Sequence, residues 1–234
     1  MNIVVFGANG PTGQLLTKQA VAAGHVVTAV TRHPEAFPLH HEHLQVMGAD
    51  VFDLSDVQRA VAGQDAVLST LGVPYSFKPI TLYSKGTAHL VQAMNHAGVR
   101  RLVCVSSSAV DPHDTGGGFL FDKILQPLII ATLGRTMYAD QKRMETLVMN
   151  SHLDWTIVRA SGLFETEAVT DYHVAEEHIR GMWTSRADLA DCMLHQLTTD
   201  QYLHKIAAVA TFSVQPNLFE FLGREAFKRR PARR

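Results

Sequence analysis

Short runs rich in Val, Ile and Ala alternate along this chain with longer stretches whose apolar residues recur at helical spacing. The runs at 3–6, 26–31, 44–47, 66–70, 101–105 and 155–159 are mostly apolar without a break, which predicts strands buried on both faces. Between them the spacing predicts helices over 12–23, 56–62, 83–97, 138–150 and 186–197, with a further strand over 205–211. Gly24 and Gly98 stand where helices end, and Ser55 precedes the second helix as its capping residue. Six strands separated by helices need crossover connections, so the pattern predicts an α/β fold built on a doubly wound parallel sheet. No repeat or low-complexity linker divides the chain, and residues 1–234 read as a single domain. The less patterned stretches 112–137 and 160–185 read as substrate-side insertions, with a small substrate-binding C-terminal part.

Composition narrows the classes. The chain is 46% hydrophobic and 18% charged, enough to bury a sizeable core. A formal net charge of −1 argues against nucleic acid as a general partner. Two cysteines, Cys104 and Cys192, make no disulfide framework and no CxxC zinc spacing, so they read as packing. No apolar run reaches the about 18–20 residues of a bilayer span. The chain enters its first strand at Ile3, which predicts a cytoplasmic protein with no stable membrane insertion. Nothing in the pattern sets an oligomeric state.

The strongest motif is Gly7-Ala8-Asn9-Gly10-Pro11-Thr12-Gly13, placed between the first strand and the first helix. Glycines there let backbone approach a pyrophosphate, and the helix N-terminus offers free N–H groups with a positive dipole end. The sheet is then a Rossmann fold, whose site lies beyond the carboxyl ends of its strands. After the second strand, Thr31-Arg32-His33 carries no acid for a ribose 2′-hydroxyl, whereas Arg32 suits a 2′-phosphate. NADP(H) is therefore the expected cofactor. Asp50, with Val51 after it, follows the third strand at the adenine position, and Leu71-Gly72 follows the fourth near the pyrophosphate and nicotinamide ribose. The fifth strand ends in Ser106-Ser107-Ser108.

These residues resemble the atypical short-chain dehydrogenase/reductases of the NAD(P)H-binding, NmrA-like superfamily. The likeness rests on VVFGANGPTGQ at 4–14, AVAGQDAVLSTLG at 60–72 and SKGTAHLVQAMNHAGVRRLVCVSSS at 84–108. It continues in LDWTIVRASGL at 153–163 and SRADLADCMLHQLTTDQY at 185–202, the latter pointing to the flavin- and biliverdin-reductase branch. The resemblance implies that Gly7, Gly10, Thr12 and Gly13 form the phosphate loop and that Arg32 meets the 2′-phosphate. It further implies that Asp50 and Val51 meet adenine, Leu71 and Gly72 cover the ribose, and Ser107 stands beside the nicotinamide. The 111–137 connection is longer than that branch leads one to expect, and the stretch past 212 matches no pattern of it.

Hydride transfer needs the nicotinamide and acceptor held in register, and for some acceptors a proton donor. Tyr138 and Lys142 have the four-residue spacing that puts both on one helix face, and Ser107 completes a catalytic set across the cleft. The alternative is an ordinary surface pair, since conjugated acceptors take protons from water. The apolar stretch 119–133, following Gly116-Gly117-Gly118 and containing Pro127, reads as a lid, a contact surface or a packed broken helix. His113, His173 and His178 fall where they can rim an acceptor pocket. His40-His41-Glu42-His43 reads as a solvated loop, and no metal is expected. The basic tail 224–234 reads as a solvated end.

The expected function is NADPH-dependent hydride transfer to a small aromatic or conjugated acceptor of the flavin, quinone or biliverdin type. A redox-sensing NADP(H)-binding regulator and a carbonyl reductase or epimerase using Tyr138 and Lys142 are the alternatives.

Overall fold

The computed structural model describes residues 1–113, 118–119, 121–132 and 134–216. Gly116, Gly117 and the basic tail 224–234 lie outside the described residues. In chain order the elements are β1 (Asn2–Phe6), α1 (Pro11–Ala22), β2 (Val26–Thr31), β3 (Leu44–Gly48), α2 (Leu54–Val61), β4 (Ala66–Ser69) and α3 (Leu82–Ala97). Then follow β5 (Arg101–Ser107), α4 (Gln126–Ala131), α5 (Arg135–Met149), β6 (Asp154–Ala160), β7 (Gly162–Phe164), β8 (Tyr172–Glu176), β9 (Trp183–Ser185), α6 (Arg186–His195) and β10 (Lys205–Thr211).

Eight strands form one sheet in the order β3-β2-β1-β4-β5-β6-β10-β8. All neighbours pair parallel except β10 with β8. The chain winds outward from β1 in one direction and then from β4 in the other, so a crevice opens at the carboxyl ends of β1 and β4. The doubly wound sheet expected from the pattern is thus present, a Rossmann-like α/β fold with a small C-terminal part. It is wider than six strands. Polarity along 160–185 hid β7, β8 and β9, because β8 is only half buried at the sheet edge and the other two form a separate two-stranded ribbon.

Alternation along the strands divides the core in two. Val4 and Phe6 face one side with Leu90, Met94, Met144 and Val148, under α2, α3 and α5. Ile3 and Val5 face the other with Leu16, Ala20, Leu189 and Met193, under α1 and α6. Both faces being covered explains the unbroken apolar runs.

Helix ends depart from expectation in one respect. Asp53, not Ser55, caps α2, its carboxylate accepting the backbone N–H of Ser55 at 2.8 Å and of Asp56 at 3.4 Å. A carboxylate two residues earlier reaches the free N–H groups that the Ser55 side chain, already inside the helix, does not. Ser55 instead donates its hydroxyl to Asp53 at 2.7 Å. The start of α3 is satisfied from outside its own chain segment. Buried Asp140 on α5 accepts the backbone N–H of Tyr83 at 2.9 Å and of Ser84 at 3.3 Å, and also the Ser84 hydroxyl. Arg143 balances its charge at 3.0 Å. Replacing Asp140→Ala strands these donors in the interior, and urea unfolding is expected to show a loss of about 2–4 kcal/mol.

Candidate functional site

The crevice between β1 and β4 is built around two close approaches. Gly7 has φ +79°, and a Cβ on it would stand 2.7 Å from the Thr70 carbonyl oxygen. A Cβ on Gly13 would stand 2.2 Å from the Gly7 carbonyl oxygen. Only glycine fits either position, so the turn folds tightly enough to aim α1 at the crevice. Thr70 seals the other wall, its backbone N–H donating to Phe6 at 2.9 Å and its hydroxyl to Phe6 and Gly7 at 3.1 and 3.2 Å. Gln14 braces the turn from within α1 by donating to the Asn9 carbonyl at 3.0 Å.

The N-terminus of α1 is left open to an anion. Gly10 supplies no side-chain cap, Pro11 has no N–H to satisfy, and the first turn holds no acid. The chain adds a cation there that the spacing did not reveal. Arg186, at the start of α6, donates from Nη1 to the Thr12 hydroxyl at 3.1 Å. Its Nε lies 3.9 Å from Glu165, and no spacing along the chain pointed to its meeting Thr12. The uncapped N–H groups, the glycine cradle and Arg186 together fit a dinucleotide pyrophosphate.

The remaining predicted cofactor residues lie along the same edge of the sheet. Thr31 ends β2, its hydroxyl accepting the His33 N–H at 3.1 Å, and Arg32 beside it is exposed. Asp50 shapes the turn after β3, accepting the Phe52 N–H at 3.0 Å. Val51 is buried, and its carbonyl is 2.9 Å from His89 Nδ1. Val51 and Leu71 both press on Gly86 of α3, where a Cβ would meet their methyl groups at 3.1 and 3.2 Å. That packing fixes the loop carrying Leu71 and exposed Gly72 against the helix. Gly86 was missed because a glycine inside a helix has no distinctive spacing.

At the end of β5 the two serines diverge, as successive strand residues must. Ser107 accepts the Ala109 N–H at 3.2 Å and caps the short turn Ser108–Val110. Ser106 points into the interior, 2% exposed, and its hydroxyl has no partner among the described residues. Beyond that turn lies a cleft of about 530 Å³ walled by Ala109, Val110, Pro112, Ile130, Ala131 and Ala139, with Arg135, Tyr138 and Lys142 along it. The stretch around Pro127 folds as α4, which offers Ile130 and Ala131 to the cleft while leaving Leu128 exposed, as are Ile124 and Leu125 in the turn before it. It is therefore a cleft wall with an apolar outer face.

Tyr138 and Lys142 share one face of α5 and the same cleft, but the partner of the Tyr138 hydroxyl is Tyr75, at 2.8 Å. Tyr75 belongs to the loop after β4, and Thr136 ties the same loop to α5 by donating to the Ser76 carbonyl at 2.7 Å. Burial, and then Tyr75, raise the Tyr138 pKa well above the ordinary tyrosine value. Tyr138 is a protonated phenol at neutral pH. A loop tyrosine carries no periodic signature, so Tyr75 was not legible in the sequence. The histidines also sort: His113 and His178 meet with ring centroids 3.6 Å apart, whereas His173 packs on Phe212.

Residues 7–200 match the NAD(P)H-binding family. The chain belongs to this NAD(P)H-binding family. An uncharacterised chloroplastic protein of Arabidopsis thaliana is 32% identical over 171 residues, covering 69% of this chain and 59% of its own length. The chain thus spans little more than half of that relative. A protein of Schizosaccharomyces pombe is 29% identical over 220 residues, covering 87% of each chain. Among solved structures, a short-chain dehydrogenase/reductase from Veillonella parvula in complex with NADP superposes with a TM-score of 0.74. It is 18% identical, over 90% of this chain and 94% of its own, and so shows the shared fold.

Within the NAD(P)H-binding family frame, the hydroxyl pair at the cleft is directly testable. Tyr75→Phe removes the hydroxyl that pairs with Tyr138 and helps to hold it protonated. The tyrosinate absorbance of Tyr138 is then expected to rise at lower pH than in the unsubstituted protein, with the Tyr138→Phe variant identifying its contribution. An unchanged titration would show that burial alone holds the shift.

Proposed function

We propose that this chain is an NADPH-dependent reductase that passes hydride to a small, flat, conjugated acceptor of the flavin, quinone or biliverdin type. The observation that carries the reading is the apolar cleft at the end of β5, bordered by a Tyr138 whose hydroxyl is committed to Tyr75. A ring system lies well against such walls, and its reduced form takes a proton from water, so no ionised tyrosine is required. The flavin- and biliverdin-reductase branch is the nearest description of this chemistry.

In this reading Gly7, Asn9, Gly10, Pro11, Thr12 and Gly13 receive the pyrophosphate, with Arg186 adding charge beside Thr12. Arg32 meets the 2′-phosphate, Thr31 starts that turn, Asp50 and Val51 border the adenine, and Leu71 and Gly72 cover the ribose. Ser106 and Ser107 stand at the nicotinamide end. The NADP bound by the Veillonella parvula protein supports the choice of cofactor. What this chain's residues do is orient: the cleft walls stack the acceptor, exclude water from one face and leave an edge open for protonation.

A second reading has its own observation, since Tyr138 and Lys142 do share the cleft. There Tyr138 as phenol would protonate a carbonyl oxygen, with Lys142 and Ser107 in the catalytic set. Oxidation of NADPH and NADH by the full chain, against flavins, quinones, biliverdins and simple carbonyls, separates the two. Turnover of a conjugated acceptor, with Tyr138→Phe within about twofold of wild type, is expected because water supplies the proton. Turnover of carbonyls alone, abolished by Tyr138→Phe, would establish the second reading, and silence with intact cofactor binding would favour a sensor. Arg32→Ala is expected to lower kcat/KM for NADPH by about 10- to 100-fold while sparing NADH, the weight of one charge-assisted phosphate contact. Equal losses for both cofactors would overturn the Arg32 assignment.

A further inference from the structure

The pairing of His113 with His178 has a third member. Asp111 follows the turn after β5, and its Oδ1 lies 3.6 Å from His113 Nε2. Its Oδ2 lies 3.8 Å from His178 Nε2, which comes from the segment after β8. One ligand atom from each of Asp111, His113 and His178 falls within 4.8 Å of the other two. Around a tetrahedral ion with bonds of about 2.0–2.1 Å, ligand atoms stand about 3.4 Å apart. Each imidazole nitrogen thus approaches its own oxygen of the Asp111 carboxylate at close to that spacing, and small side-chain rotations bring one atom from each residue around a single ion.

The backbone is bent to bring these groups together. Glu177 has φ +63°, a left-handed conformation that side-chain-bearing residues rarely adopt. The His178 N–H then donates to the Glu176 carbonyl at 2.7 Å, a tight reversal that turns His178 away from the line of β8 toward Asp111. Strain of this kind marks a position held for a purpose outside the local chain.

Charge at the cluster favours a cation. Arg159, at the end of β6, binds Glu145 through two hydrogen bonds of 3.0 and 2.7 Å, with both side chains buried. Its remaining Nη1 lies 3.6 Å from Asp111 Oδ2, close enough to orient that carboxylate. A third carboxylate, Glu177, lies 3.9 Å from His178 Nε2. Three carboxylates, Glu145, Asp111 and Glu177, thus act on one guanidinium, an excess of acidic over guanidinium groups.

We propose that Asp111, His113 and His178 form a binding site for a divalent transition-metal cation of the zinc type, at the rim of the apolar cleft. Two imidazoles and one carboxylate suit zinc, cobalt or nickel, whereas calcium and magnesium demand more oxygen ligands. Val110 and Pro112, on either side of Asp111, line the cleft. Three protein ligands leave a fourth position to an oxygen donor. Binding requires neither dinucleotide nor acceptor, so it stands or falls separately from the reductase reading.

The test is titration of the full chain, stripped with chelator, with Zn²⁺ by calorimetry and with Co²⁺ by visible absorption. One equivalent is expected, with the intense bands of a four- or five-coordinate cobalt ion and no displacement by Mg²⁺ or Ca²⁺. Asp111→Asn is expected to weaken Zn²⁺ at least about tenfold, as loss of a ligand does, and the His113→Ala/His178→Ala pair to abolish the cobalt bands. Substituting His41→Ala and His43→Ala in the other histidine-rich segment leaves both unchanged. Binding that survives the His113/His178 pair, or that disappears with His41 and His43, overturns the proposal. Should the double variant fail to fold, as judged by circular dichroism, the exposed Asp111→Asn substitution decides alone: unaltered affinity overturns the site.

Discussion

The close contact of the Gly7 turn with Thr70 is the constraint on which the rest of this molecule hangs. Gly7 lies against the Thr70 carbonyl, and Gly13 lies against the Gly7 carbonyl, with no room at either place for a Cβ. Because β1 and β4 are paired in register up to Phe6 and Ser69, their carboxyl ends leave the sheet together. The two chains then part, one into α1 and one into the loop toward α3. The open helix end and the loop over the crevice are both consequences of that parting, and a cofactor phosphate needs both.

A second layer of organisation comes from α5. It closes one face of the core through Met144 and Val148, caps α3 through Asp140, and holds Arg159 of β6 through Glu145. It also carries Tyr138 and Lys142 to the cleft. One helix therefore couples core stability to site geometry. Its buried charges are matched by directed hydrogen bonds, which is the condition under which ionised groups persist in an apolar interior. The tyrosine beside them is held to another hydroxyl, Tyr75, rather than to a cation, and burial keeps it protonated.

The C-terminal part is secured by a comparable device. Buried Asp188 on α6 accepts the Thr170 N–H at 2.7 Å and its hydroxyl at 2.8 Å, and also the Thr211 hydroxyl. Thr211 in turn accepts the Ser185 N–H at 2.9 Å. These bonds bind the segment before β8, the end of β10 and the start of α6 to one carboxylate. The same start of α6 delivers Arg186 to Thr12 in the first turn of α1, so the C-terminal part is tied to the crevice between β1 and β4.

The sequence alone determined the parallel body of the sheet, its double winding and the glycine turn after β1. Strands buried within a sheet covered on both faces are mostly apolar, and a strand–glycine–helix junction is local. Cys104 and Cys192 were equally legible as packing, and burial pushes both thiols up to about 12. Three short strands were not legible: β7 and β9 are three residues each and pair only with one another, and β8 is half exposed and takes its place from β10. Nor were Tyr75 against Tyr138, Arg186 against Thr12, or Asp111 between His113 and His178. Apart from the near neighbours Asp111 and His113, each joins residues dozens of positions apart, or more, through side chains that no periodicity requires. Only the packing of helices and loops on the folded sheet decided that they meet.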